Sequence, residues 1–379
     1  MSLTSPVLVA VLAVLAVGVV VAIVVVWPRL SATRPLIVSG RVGAIAVLNV
    51  TVLLLAFALL NDQFLFFTDW SDLVGAASRQ GAPASTWMTA GAGASVAVAH
   101  TVDPVSRTPA PPSSSWVRSA SRGSTTYLVT GGASHVTSEV LVTLPPGYNN
   151  PANASRRYPV LVGFGGYPSS VRSLQKGFAV PSALAGVYGR HELAPTVTVY
   201  VQPSTPRGRD TECVDGPGDL VETWAAVDVP AWVRSHFRAR ADRAAWATWG
   251  SSAGAWCAVM STMLHPDTFG AALVFSGYFA PDWGNWTPFA PGDPRLRRYD
   301  LGILERTAPP PVALWLFASR KDRQSYPMTM AFLRTVHAPT AVTAQIIPTG
   351  GHRVTLWTPW LPVALAWLGH NVSGFAPAP

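Results

Sequence analysis

Two long apolar runs open the chain, and a different rhythm replaces them further on. Pro6 to Trp27 is free of charge and dominated by Val, Leu and Ala, and Val42 to Leu60 is a second run whose polar interruptions are Asn49 and Thr51. A helix over the first rises to about 33 Å, enough to cross a hydrocarbon core of ~30 Å. The pattern predicts two transmembrane helices, 6–27 and 42–60. Asp69 to Val102 is rich in Ala, Gly and Ser, and Trp87–Val102 is too short and too glycine-rich for a third span. Asp103–Thr126 carries Pro109, Pro111, Pro112 and a serine run, the composition of an extended tether. Residues 61–125 are therefore expected to be a linker.

From Tyr127 short apolar strands alternate with helical stretches, which predicts an α/β domain with a mostly parallel central sheet over 126–370. The expected strands are Glu139–Leu144, Pro159–Phe164, Thr196–Val201, Ala244–Trp249, Ala271–Phe275, Pro311–Phe317 and Ala341–Ile347. A helix over Leu220–Arg238 contains Pro230, so a kink or break is expected there. Residues 371–379 read as a tail. The length of 126–370 suits one domain.

Charge then orients the spans. Only 12% of residues are charged, as in membrane-attached proteins. Arg29, Arg34 and Arg41 lie in the loop 28–41 with no acidic residue, which predicts a cytoplasmic loop and everything after Leu60 outside. A cleaved signal peptide fits poorly, because Met1–Ser5 has no basic residue and the apolar run is too long. Trp27, Phe64, Phe66, Phe67 and Trp70 sit near the span ends, where aromatic rings favour the interface. The net charge of +8 comes from scattered arginines with no aromatic platform. That pattern speaks against a nucleic-acid partner and fits either anionic headgroups or an ordinary solvated surface.

The candidate chemistry centres on Gly250-Ser251-Ser252-Ala253-Gly254. A short strand precedes it and a run of helix formers ending at His265-Pro266 follows, the context in which G-x-S-x-G forms a nucleophile elbow. Glycine is expected at both flanks because neighbouring backbones approach closely there. Gly163-Phe164-Gly165-Gly166-Tyr167 follows another strand, and the N–H groups of Tyr167 and Ala253 are the candidate oxyanion donors. A serine needs a base and the base an orienting acid, in the chain order Ser, Asp or Glu, His. Of His265, His337, His352 and His370, His352 follows Thr349-Gly350-Gly351 directly after the last strand and is the expected base. Asp322 stands at the end of the Pro311–Phe317 strand and is the expected acid; Asp282, Asp293, Asp300 and Glu305 are the alternatives. Neither a metal nor an organic cofactor is called for by this chemistry.

Tyr158-Pro159-Val160-Leu161, Asp242-Arg243, the elbow, His265-Pro266-Asp267-Thr268-Phe269-Gly270, Phe275-Ser276-Gly277 and Gly350-Gly351-His352 occur in register. From about Val136 to Leu368 the chain resembles the putative-esterase family of α/β-hydrolases, which includes esterase D and the secreted mycolyltransferases of mycobacteria and corynebacteria. The resemblance implies Ser252 as nucleophile, Asp322 as acid, His352 as base and an oxyanion hole at Tyr167 and Ala253. The secreted mycolyltransferases lack the two N-terminal spans, so no substrate is implied.

Three functions follow as expectations. The first is a membrane-anchored, extracytoplasmic serine esterase or acyltransferase acting through an acyl-enzyme on a lipid or cell-envelope ester. The second removes aminoacyl esters from lipid headgroups, with Asp210, Glu212, Asp215 and Asp219 receiving a cationic group; such a cluster is otherwise a solvated loop. The third is a non-catalytic binding or scaffold protein on a hydrolase fold. The only cysteines, Cys213 and Cys257, are expected to meet as a disulfide, the alternative being two buried thiols.

Overall fold

Proline in the first turn costs a helix no hydrogen bond, and both N-terminal helices start that way: α1 (Pro6–Val26) and α2 (Pro35–Phe64). The computed structural model describes residues 3–30, 35–64, 66–77, 86–91, 113–121, 123–167, 169–203, 210–284 and 287–378. Contacts divide the chain into two units, one formed by the chain up to Gly81 together with Thr349–Arg353, the other by the remainder.

In the first unit, α1 and α2 are long and apolar enough to cross a membrane. Most of their apolar side chains are exposed or half-buried; Val14 is 72% exposed and Leu53 68%. The polar interruptions of α2 are satisfied within the helix, Asn49 Nδ2 donating to Ile45 O (3.0 Å) and Thr51 Oγ1 to Val47 O (2.8 Å). α2 starts earlier and ends later than the expected 42–60 span, taking up residues expected in the 28–41 loop. Asn61, fully buried near its end, donates to Phe67 O (2.9 Å) and accepts from Phe67 N (2.8 Å). A short helix, α3 (Trp70–Ala77), follows; Asp69 accepts from Asp72 N (2.8 Å) at its start.

The second unit is built on a ten-stranded sheet. Its strands are β1 (Thr86–Gly91), β2 (Ser114–Ser121), β3 (Ser124–Thr130), β4 (Thr137–Thr143), β5 (Val160–Phe164), β6 (Val197–Val201), β9 (Trp246–Ser251), β10 (Ala271–Phe275), β11 (Ala313–Ser319) and β12 (Ala341–Ile347). A separate two-residue ladder, β7 (Asp215–Gly216) with β8 (Asp219–Leu220), closes a loop. The order is β1-β12-β11-β10-β9-β5-β6-β4-β3-β2. The six strands β12 to β6 run parallel, and β1, β4, β3 and β2 are antiparallel to their neighbours.

Every residue of the six parallel strands is buried, as a sheet covered on both faces requires. Alternate residues feed opposite cores. Val160, Val162 and Phe164 join Trp224, Trp232 and Trp256 on one face; Leu161, Trp249 and Trp315 join Leu174, Leu184 and Leu368 on the other. The second face is covered by α4 (Val171–Gly177), α5 (Val180–Gly189) and, at the chain's end, α12 (Val354–Trp357) and α13 (Leu361–Asn371). The first is covered by α6 (Val221–Thr223), α7 (Val229–His236), α8 (Ala253–Leu264), α9 (Pro294–Arg298), α10 (Leu301–Thr307) and α11 (Ser325–Leu333).

The predicted helix 220–238 is distorted rather than broken. Trp224–Asp228 is a π-helical turn in which Val229 N reaches back to Trp224 O, just before Pro230, whose ring would clash with a regular preceding turn.

Three expectations are corrected. The 61–125 linker contains α3 and the strands β1 and β2, and β2 pairs with β3 along their lengths. These strands escaped notice because edge strands rich in Ser, Thr, Ala and Gly, with their large apolar residues adjacent (Trp87-Met88, Trp116-Val117), lack an apolar alternation; in β2, Trp116 and Val117 are both exposed. The sheet therefore begins before residue 126. The 371–379 tail is held in place as well: Val372 and Phe375 are fully buried, and Phe375 O accepts from Ala194 N (2.9 Å).

Candidate active site

β9 ends at Ser251 and α8 begins at Ala253, so the direction change falls on Ser252. Its backbone stands at φ 56°, ψ −128°, a conformation that costs an L-residue of order 1–3 kcal/mol and persists where the surroundings fix it. Ser252 N donates to Phe275 O (3.0 Å), and Ser252 O accepts from Ala255 N (2.9 Å) and Trp256 N (3.1 Å). The flanking glycines are required by space. A Cβ on Gly250 would lie 2.3 Å from Gly254 O, and one on Gly254 would lie 2.1 Å from Phe164 O. Ser251 is the last residue of the strand, paired with Phe275 and buried. Ser252 caps α8, whose free N–H groups favour developing negative charge beside it.

The glycine turn after β5 runs past the elbow. A Cβ on Gly166 would be 3.8 Å from Ser252 Cβ and 3.4 Å from Ser251 O. Tyr167 and Ala253, the candidate oxyanion donors, line one narrow pocket together with Asp210, Glu212, Cys213 and Cys257.

Asp322 lies three residues beyond β11 and is fully buried. Its carboxylate accepts from Gln324 N and Ser325 N (3.1 Å each) and from Ser325 Oγ (2.6 Å). Donors so arranged hold a carboxylate in one orientation. The competing acids are occupied elsewhere. Asp293 and Asp300 cap α9 and α10. Glu305 accepts from Thr340 Oγ1 (2.7 Å) with its carboxyl pushed up by burial, and Asp282 accepts from Gly284 N.

Among the histidines, His265 pairs through Nε2 with Glu222 Oε1 (2.7 Å). Glu222 also accepts from Arg298 and from Tyr299 Oη; although burial opposes its charge, these partners hold it down at about 2. His337 Nδ1 meets Thr335 O (2.9 Å) at the surface. His352 stands on the loop Thr349–Arg353 that follows β12 and groups with the first unit. Ser252, Asp322 and His352 thus follow β9, β11 and β12, whose C-terminal ends share one edge of a parallel sheet.

Cys213 and Cys257 form a disulfide with Cα atoms 5.6 Å apart, inside the usual span of about 4.4–6.8 Å. It fastens the loop after β6 to the first turns of α8. Glu212 and Cys213 both adopt positive φ, 50° and 55°, and Trp256 Nε1 donates to Glu212 O (2.7 Å). The Glu212 carboxylate is buried and accepts from Tyr278 Oη (3.0 and 2.9 Å) and Asp282 N (3.2 Å). Burial first, then the nearby Asp210, push it up to about 8 against those hydrogen bonds. Burial also raises Asp210 and Asp215. Asp215 is not among the residues lining that pocket and accepts from Thr223 N (3.0 Å) and Oγ1 (2.6 Å). The four acids named together from sequence are therefore separate: Asp210 and Glu212 at the pocket, Asp215 bracing α6 and Asp219 in β8. Sequence reading missed Tyr278 and Asp282 as the partners of Glu212; the Phe275-Ser276-Gly277 motif just before them was the available signal.

A strained serine between two sterically required glycines, at the head of a parallel sheet, defines a serine hydrolase of α/β-hydrolase architecture. The chain belongs to the putative esterase family, whose profile matches residues 135–368. It is similar in fold to a ferulic acid esterase, with a TM-score of 0.55 at 17% identity, covering 65% of this chain and 98% of that one. An S-formylglutathione hydrolase from Agrobacterium tumefaciens gives a TM-score of 0.55 at 16% identity, covering 68% of this chain and 99% of that one. By sequence, an uncharacterised protein of Corynebacterium glutamicum is 28% identical over 141 residues, which is 37% of this chain and 33% of that protein.

Proposed function

We propose that this esterase-family chain is a membrane-anchored, extracytoplasmic enzyme that forms an acyl-enzyme on Ser252 from an ester of the lipid or cell-envelope class. The observation that carries the reading is the backbone of Ser252, held at φ 56° between glycines that admit no Cβ. Two apolar helices at the N-terminus supply the anchor, and the arginines between them favour a cytoplasmic loop and an external catalytic unit. The disulfide agrees, since such bonds persist in oxidising compartments.

In this mechanism Ser252 Oγ attacks the ester carbonyl while His352 takes its proton, and Asp322 holds the imidazole in the productive tautomer. Negative charge gathers on the carbonyl oxygen, where the N–H groups of Ala253 and Tyr167 receive it with help from α8. His352 returns the proton to the departing alcohol, leaving an acyl-serine. Water then releases the acid, or a second alcohol takes the acyl group; a sugar hydroxyl as acceptor would make the reaction mycolyltransferase-like. The aminoacyl-ester reading gains no support from the acidic loop: burial and Asp210 push the Glu212 carboxyl up to about 8, which weakens it as a partner for a cation, and Asp215 is engaged by Thr223.

The test is labelling of the full chain by a fluorophosphonate. Ser252→Ala is expected to abolish it and Ser251→Ala to leave it largely intact. Asp322→Asn should slow ester turnover steeply, the comparable change in a serine protease costing about 10⁴ in kcat. Labelling that survives Ser252→Ala overturns the assignment, and an unreactive parent protein favours the binding or scaffold alternative.

A further inference from the structure

Arg353 follows His352 directly, and its side chain is gripped from several sides. Nη1 donates to Asp72 Oδ2 (2.8 Å) and to Phe66 O (2.7 Å), and Nη2 donates to Asp72 Oδ1 (2.5 Å). The guanidinium carbon also lies 4.7 Å from the Phe67 ring centroid. Both charged side chains are nearly buried, at 11% and 9% exposure. A planar fork on a carboxylate fixes orientation as well as distance, which a single ion contact does not.

The receiving corner is itself fixed. Asp72 sits in the first turn of α3 and accepts from Thr68 N (3.1 Å). Phe67 is bound at both backbone groups by the buried Asn61 of α2. On the other side of His352 the chain is Gly350-Gly351, with Gly350 at φ 118°. Glycines impose little conformational preference of their own, and Arg353 is an immediate neighbour of His352 whose side chain is fixed by the Asp72 fork.

We propose that Arg353 is a positioning residue for His352, with Asp72 as its anchor: the pair fixes the base-bearing loop one residue from the imidazole. The proposal rests on His352 being the general base of the serine hydrolase described above. Its consequence is that the segment following the second apolar helix takes part in setting catalytic competence. Small displacements of a base are expensive, a misplacement of about 1 Å costing up to ~10²-fold in rate.

The experiment uses the full chain in detergent micelles with p-nitrophenyl butyrate as probe. Arg353→Met and Asp72→Asn are each expected to lower kcat by roughly ten- to a hundredfold, with KM near the parent value, at an assay temperature well below each variant's unfolding midpoint. Arg353→Lys, which keeps the charge but not the fork, should fall between parent and Met. The double variant should be no slower than the worse single one, because both remove the same restraint. If Arg353→Met does not fold, the isosteric Asp72→Asn carries the test. Single variants with parental kcat, losses that multiply in the double variant, or losses that follow a lowered unfolding midpoint overturn the positioning role. A parent protein that neither turns over the ester nor reacts with a fluorophosphonate overturns the hydrolase reading instead, so the two failures are distinct.

Discussion

Replacing Glu212 by Gln should flatten the pH dependence of stability between pH 5 and 7. The side chain is buried, and its carboxyl is raised from 4.5 to about 8, mainly by burial and by Asp210. Between those two values the folded protein holds a proton that the unfolded chain has released. Stability contributed by this group is therefore complete below pH 4.5 and is lost progressively as pH rises toward 8. Each pH unit well inside that window removes up to about 1.4 kcal/mol, so the loss from pH 5 to 7 is on the order of 2–3 kcal/mol. Glutamine has the same shape, still accepts from Tyr278 through its carbonyl oxygen, and does not titrate. For a unit of this size the difference corresponds to roughly 5–10 °C in Tm. The assay is thermal unfolding of the full chain in micelles, followed by tryptophan fluorescence at pH 5, 6 and 7, for the parent and Glu212→Gln. The parent should lose markedly more Tm than the variant over that range. Parallel Tm–pH curves for the two proteins would refute the reasoning, since they would show that folding does not raise the Glu212 carboxyl.

The remaining predictions concern covalent structure and topology. Cys213 and Cys257 are separated by 44 residues, and closing a loop of that length stabilises by about 4 kcal/mol in the chain-entropy model. The Cys213→Ser, Cys257→Ser double variant should therefore unfold well below the parent. Non-reducing peptide mapping should find the two cysteines linked, and alkylation of both without reductant speaks against the bridge. A reporter that fluoresces only in the cytoplasm, fused after Pro379, should stay dark; a bright fusion reverses the proposed orientation.

Much of the catalytic strand framework was legible because its signals are local. Six fully buried parallel strands read as short apolar runs, and Ala271–Phe275 and Ala341–Ile347 came out at their observed limits. The elbow announced itself through glycines whose role is steric and immediate. The two N-terminal helices needed only length and apolarity. Cysteine count and expected chain topology pointed to a Cys213–Cys257 pair, and the geometry that allows it came from the structure.

What tertiary structure alone decided depends on partners far away in sequence. β1 becomes a strand only because it finds the edge of β12, and β2 only because β3 lies beside it; neither carries an apolar period. Phe375 is core rather than tail because it meets the loop before β6. Glu212 looks like one acid among several in a polar loop. Its burial under Tyr278, and hence its raised affinity for a proton, arises from residues 66 positions away. Arg353 and Asp72 stand 281 positions apart, and a charge pair of that separation leaves no periodic or compositional trace. Sequence by itself thus supplied the candidate nucleophile at its elbow, the chain order of its expected partners and the apolar helices, because those are written in neighbouring residues. The contacts that hold the loops around them are set by which surfaces the fold brings together.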